Sequence, residues 1–182
     1  MLTLDFSPFP VIQTDRLILR EVGYLDAVAL LDIRSNPAVM RDRALNTSID
    51  DARKFIDRVK DGLSNAKGIT WAITLKDDPK LIGTIGFWRI DDTHMRGEIG
   101  YDLQPAHQGK GLMTEAMAAI LDYGFHKMNM HSVEANVSPD NEASIRLLER
   151  HKFIREGYFR ENYYSNGKFQ DSAIYSLLTT NR

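Results

Sequence analysis

Residues His107, Gln108, Gly109, Lys110, Gly111, Leu112, Met113, Thr114, Glu115 and Ala116 form the stretch whose types and spacing suit chemistry best. Two glycines around a lysine let the backbone turn sharply and bring its N–H groups to a ligand with no Cβ in the way. Before them, Glu98 to Leu103 alternates like a half-buried strand. After them, Leu112, Met113, Ala116, Met117, Ile120 and Leu121 recur at helical spacing through to Phe125. The glycines therefore fall at a strand-to-helix turn, where the first helical N–H groups lack internal partners and the peptide dipoles sum to roughly half a positive charge. A pyrophosphate suits that geometry. The plainer alternative is a glycine turn that only starts a helix.

Two familiar phosphate loops do not fit. No Gly-x-x-x-x-Gly-Lys followed by Ser or Thr occurs, and Thr114 stands where a dinucleotide fingerprint needs its third glycine. The run instead resembles the acetyl-CoA motif of the GNAT superfamily of N-acetyltransferases, Gln/Arg-x-x-Gly-x-Gly/Ala, with Gln108 and Gly111 in register and Met113 at the final small position. Thr114, Glu115, Ala116 and the earlier Thr14-x-Arg16-Leu17-x-Leu19-Arg20 resemble the RimJ/RimL-type subgroup, whose members modify ribosomal proteins.

The elements that must hold this turn can be read along the chain. Arg16 to Val22 alternates as a first strand. A helix is expected from Tyr24 to Asn36, stopped by Pro37, and a second from Asp50 to Leu63 behind a Ser48 cap with acidic residues in its first turn. Ile69–Leu75, Leu81–Ile90 and Met95–Leu103 read as an antiparallel meander, with Gly83 and Gly86 marking a bulge or a close backbone approach. After the central helix, His131–Val137 is a strand reached by a right-handed crossover. Ser138 and Pro139 suit the cap and first position of another helix. Phe153–Asn162 and Phe169–Leu178 close the chain as a hairpin around Ser165, Asn166 and Gly167.

The order β-α-α-β-β-β-α-β-α-β-β is that of the GNAT fold. The resemblance thus implies an α/β (α+β) domain over residues 1–182, with a mixed, mostly antiparallel sheet, one splayed parallel pair and flanking helices. It implies acetyl-CoA as cosubstrate, held by Ile99, Gly100, Tyr101, Gln108, Gly109, Lys110, Gly111, Leu112, Met113, Thr114, Asn136, Asn141 and Ser144. The Tyr101 N–H would polarise the thioester carbonyl. Glu98 would take the amine proton, with burial raising its pKa. By the same resemblance, Ser144, in the Asn141-x-x-Ser144 wording of the subgroup, would protonate or position the departing sulfur, and Leu148 departs from the many relatives that carry a tyrosine acid at its position. Lys152 stands where relatives usually carry glycine, which implies a local backbone change. Segment Met40–Thr47 would shape the acceptor side.

Composition narrows the alternatives. The 182 residues, 43% hydrophobic, suffice for one sizeable core. Zero cysteines exclude disulfides, thiolate metal sites and a cysteine nucleophile. The five histidines show no metal spacing, so no metal is expected. The net charge of −2 is spread along the chain, without a nucleic-acid footprint. Neither a signal peptide nor a membrane span is expected, so the cytoplasm is the expected compartment. The expected partner is an amine, most simply the N-terminal α-amine of a ribosomal protein. The alternatives are a small amine such as a polyamine or amino-sugar, or a non-catalytic acyl-CoA sensor. A homodimer is compatible with each.

Overall fold

The computed structural model describes residues 1–41 and 43–181. One eight-stranded sheet runs through it in the order β1-β2-β3-β4-β5-β6-β8-β7. Its strands are β1 (Ile12–Gln13), β2 (Leu17–Glu21), β3 (Ile69–Leu75), β4 (Asp78–Asp91), β5 (Arg96–Leu103), β6 (Ser132–Val137), β7 (Ile154–Ser165) and β8 (Lys168–Leu178). All neighbours are antiparallel except β5 and β6, which are parallel. That pair is matched only from Arg96–Ser132 to Glu98–Glu134, and beyond Glu98 the two strands no longer pair. This is the mixed sheet with a splayed parallel pair expected from sequence.

The helices are α1 (Ala27–Arg34), α2 (Pro37–Met40), α3 (Ile49–Ser64), α4 (Leu112–His126) and α5 (Glu142–Arg150). Two apolar layers sandwich the sheet. Ala29, Leu30 and Ile33 of α1 and Ala52 and Ile56 of α3 meet Val22, Ala72 and Leu81 on one face. Ala116, Met117 and Ile120 of α4 and Leu148 of α5 meet Ile85, Phe87, Ile99 and Val133 on the other. Phe87 is fully buried, and a Cβ added at Gly124 would lie 2.7 Å from its ring, so α4 approaches the sheet as closely as a glycine permits. Truncating Phe87 to alanine would cost about 3–5 kcal/mol, and it would loosen the helix whose start carries the phosphate turn.

Local signals explain most boundaries. Ser48 accepts from the Asp51 N–H at 3.2 Å while the Asp51 carboxylate accepts from the Ser48 N–H at 3.1 Å, a reciprocal cap that starts α3. Asn166 and Gly167, at φ 49° and 79°, form the two-residue turn between β7 and β8. Two expectations shift. The first helix is a 3-10 turn (Tyr24–Asp26) followed by α1, and Pro37 opens the separate α2 because its fixed φ suits a first helical position. The cap of α5 is Asn141 and not Ser138: its side-chain oxygen accepts from the Ser144 N–H at 3.2 Å, while the Ser138 hydroxyl is spent on Asp140. Gly83 and Gly86 mark close strand approach, since a Cβ there would collide with the carbonyls of Asp102 and Ile69 respectively. β4 shifts register twice: against β3 between Asp78 and Gly83, where Gly83 is the last residue matched before the irregularity, and against β5 between Phe87 and Arg89.

Candidate active site

Once β5 leaves β6 at Glu98, its outer edge from Ile99 to Leu103 has no strand partner among the described residues. The Gln104 N–H donates to the Ile82 carbonyl at 2.8 Å, which fixes the phase of the alternation along β5. Even-numbered amides face β4, so the Tyr101 N–H points into the gap between the strands. Gly100, in the middle of this stretch, has no side chain, and the Trp88 indole lies against it, 3.2 Å from where a Cβ would stand.

The gap leads to the phosphate turn. The Gln108 side-chain amide donates to the Leu103 carbonyl at 2.9 Å, so Gln108 buttresses the end of β5. Gly109 and Gly111 have φ of 72° and 75°, the left-handed region that favours glycine, and a Cβ at Gly109 would meet nothing within 4 Å. Among the described residues, no side chain caps α4. The side chains of Leu112 and Met113 pack into the core, which leaves their amides and that of Thr114 as the donors of the first turn. This arrangement fits the diphosphate of a coenzyme A thioester: open backbone, uncapped N–H groups and the positive end of a helix.

A clamp that sequence reasoning missed fixes the turn from behind. Glu115 of α4 accepts from the Thr14 hydroxyl at 2.5 Å, from the Arg16 N–H at 2.8 Å and from Arg16 Nε at 2.6 Å. Arg16 Nη1 then donates to the Lys110 carbonyl at 2.9 Å. Burial pushes the Glu115 carboxyl up, but the hydrogen bonds from Thr14 and Arg16 outweigh it and hold the group below its ordinary value. Both halves of this clamp lie in the stretches that resemble the subgroup wording, yet their partners stand far apart in sequence. His151 has no sequence signal either. It is half-buried against the Thr114 backbone, and burial pushes its ring below the usual histidine value, which leaves it neutral near about pH 7.

Across the gap, α5 brings Ser144 to Tyr101. Their hydroxyls are 2.5 Å apart. Burial, only partly opposed by that hydrogen bond, pushes the Tyr101 phenol up to about 12, so it stays protonated and can donate to Ser144 Oγ. Ser144 then keeps its own proton free for another acceptor. Asn141 holds the start of this helix through its cap. Asn136 is exposed on β6 opposite Ile174.

Glu98 lies at the last matched pair of β5 and β6, opposite Glu134. Its side chain is mostly buried, and Arg89 Nη1 lies 3.5 Å from its Oε2. Burial raises its pKa, Arg89 and Arg96 pull it down and Glu134 adds to the rise, with a net upward shift. Glu98 also borders a cavity of about 440 Å³ that Lys67, Arg89, Arg96 and Glu134 help to line. Further along the same face, Asp102 is buried between Arg34 at 2.8 Å and Arg43 at 2.5 Å. Arg41 joins the remaining elements, pairing with Asp140 at 2.9 Å and accepting on its carbonyl from the Asn166 side chain at 3.4 Å. Segment Met40–Thr47 thus touches the loop after β6 and the tip of the last hairpin, with Asp42 outside the described residues.

The arrangement offers a buried carboxylate, an inward amide, a hydroxyl relay and an anion-binding turn along one gap. This is what acyl transfer from a phosphate-bearing thioester to an amine requires.

Known proteins point the same way. The acetyltransferase (GNAT) domain family matches residues 16–154. The chain is 38% identical over 172 residues to the uncharacterized N-acetyltransferase YoaA of Bacillus subtilis, covering 93% of this chain and 97% of that one. A solved acetyltransferase (GNAT family) from Bacillus anthracis superposes with a TM-score of 0.82 at 29% identity, over 93% of this chain and 98% of its own. RimL, a ribosomal L7/L12 alpha-N-protein acetyltransferase solved in complex with coenzyme A, shares the fold with a TM-score of 0.84 at 22% identity, over 95% and 100%. A family match that spans the gap, the phosphate turn and α5 alike leaves one conclusion: the chain belongs to the GNAT superfamily and is an N-acetyltransferase that uses acetyl-CoA.

Proposed function

We propose that the protein, acting as one domain in the cytoplasm, acetylates the N-terminal α-amine of a protein, with ribosomal proteins as the acceptor class. The observation that carries this reading is the state of Glu98. Burial makes it a better base than a free carboxylate, but the nearby Arg89 limits the gain. An α-amine has a pKa of about 8 and a lysine-type amine one of about 10.4, so near about pH 7 roughly a tenth of the first is neutral against far below a hundredth of the second. A base of modest strength suits the first. No helix among the described residues is long and apolar enough to cross a membrane.

In this reading each residue has one task. Amides of Gly109 to Thr114 bind the diphosphate, and the edge from Ile99 to Tyr101 lines the thioester arm. The Tyr101 N–H, already aimed into the gap, stabilises negative charge as it develops on the carbonyl oxygen. Glu98 takes the amine proton, directly or through water. Ser144, its Oγ accepting from Tyr101, donates to the sulfur as the thioester bond breaks. Gln108 and Asn141 position β5 and α5.

The test is Glu98→Gln, assayed by release of coenzyme A thiol from acetyl-CoA with a peptide α-amine and with a lysine-type amine. The loss of rate should be markedly larger for the lysine-type amine, and the wild-type rate should rise with pH through the shifted pKa. Equal losses for both amines from about pH 6 to 9 would mean that Glu98 orients substrate without carrying its proton.

A further inference from the structure

Trp88 is the large apolar side chain of β4 that the core does not take. Ile82, Ile85 and Phe87 are buried, whereas Trp88 is 52% exposed. The reason is the bulge: Phe87 pairs with Ile99 and Arg89 with Glu98, which leaves Trp88 without a partner on β5. Its indole lies against Gly100, where an added Cβ would be 3.2 Å from Cδ1, so the missing side chain at 100 makes room for the ring. The Arg89 guanidinium sits 4.4 Å from the indole centroid and 3.5 Å from the Glu98 carboxylate, with its own side chain 69% exposed. An aromatic face and a mostly buried carboxylate therefore already hold a cation between them, one whose own side chain lies mostly in solvent.

We propose that Trp88 and Glu98 form a subsite for the ammonium group of the acceptor, and that Arg89 occupies this subsite until the acceptor displaces it. At 3.5 Å, and with the Arg89 end of the pair mostly in solvent, this contact is weaker than a close bidentate ion pair, so one cation can replace another at the buried carboxylate. The arriving ammonium gains the indole face by cation–π attraction and lies beside the carboxylate. Arg89 swings into solvent, where most of its surface already is. Trp88 is a positioning residue in this scheme: it places the amine and takes no part in bond making. The proposal rests on the reading of Glu98 as the proton acceptor, and it adds a basis for preferring charged acceptors over neutral isosteres.

The experiment separates the subsite from turnover. The chain has two tryptophans, and Trp71 is fully buried, so the two indole N–H resonances can be assigned with Trp88→Phe. Wild type and Arg89→Ala are titrated with n-butylammonium chloride and, at matched ionic strength, with n-butanol. n-Butylammonium should shift the Trp88 indole resonance saturably while n-butanol leaves it in place, and Arg89→Ala should bind n-butylammonium roughly 3- to 10-fold more tightly. In the thiol-release assay Trp88→Ala should raise the amine KM roughly 3- to 30-fold, the span of a cation–π contact, with kcat within about twofold. Equal shifts from the alcohol and the ammonium, or unchanged or weaker binding in Arg89→Ala, would overturn the subsite. Neither result depends on whether Glu98→Gln lowers kcat, so failure of the subsite and failure of the proton-acceptor reading are told apart.

Discussion

Glu115→Ala is the perturbation that probes the support of the phosphate turn. The carboxylate is 18% exposed and receives three hydrogen bonds, two of them from a hydroxyl and a backbone amide. Hydrogen bonds to a charged group contribute about 1.5–3 kcal/mol each in favourable settings. The Arg16 side chain is half exposed, so its share is discounted to well under about 1 kcal/mol. Partial relaxation and new water contacts reduce the remainder, and a loss of about 2–3 kcal/mol is expected. For a chain of this size that is a fall in Tm of about 5–10 °C. The sign of the pH dependence follows from the depressed carboxyl pKa. The contribution is fully present above the unfolded value of 4.5 and is lost as pH falls through the folded value. Urea unfolding of wild type and variant at about pH 7 and again well below about pH 4.5 should show a gap that narrows in acid. Coenzyme A affinity should also fall, because Arg16 loses the partner that aims it at the Lys110 carbonyl. A variant as stable as wild type at neutral pH, or a gap that stays constant with pH, would refute the clamp.

Other substitutions test other links. Lys152 has φ of 65° just after α5, so Lys152→Gly should stabilise the fold by about 1 kcal/mol, seen as a rise of about 2–4 °C in Tm with unchanged coenzyme A binding. Gly109→Val should weaken coenzyme A binding about 10-fold or more by calorimetry while the far-ultraviolet spectrum keeps its shape, since a β-branched residue resists the left-handed backbone that the turn uses. Ser144→Ala should lower kcat about 10-fold or more with little change in the KM for acetyl-CoA, and full kcat would assign proton delivery to water or the amine.

The legible parts of the fold were those coded locally. Ser48 with Asp51, the pair Asn166–Gly167, and the strand-glycine-helix run from Glu98 to Phe125 each carry their signal within a few residues, and the structure follows them. What sequence did not show depends on partners brought together by the sheet. Glu115 meets Thr14 and Arg16 only because β2 and α4 converge. Trp88 is exposed because of a register shift that no residue type announces, while Gly83 and Gly86 both serve close packing and Gly83 also borders the register shift against β3. Ser138–Pro139 is a fair helix start locally, but it lost to Asn141, whose oxygen reaches the Ser144 amide. The aim of the Tyr101 amide was out of reach in the same way, since it depends on the pairing phase of β5 against β4. Lys152 takes the left-handed conformation that favours glycine, at φ 65°, and does so with a side chain, which costs energy.

The most direct measurement of the central claim uses a short peptide with one free N-terminal amine and one internal lysine, incubated with the protein and acetyl-CoA and sequenced by tandem mass spectrometry. One acetyl group per peptide is expected, on the α-amine, formed in step with coenzyme A thiol release and slowed by Glu98→Gln. Acetylation confined to the lysine, or thiol release with the peptide unmodified, would contradict it.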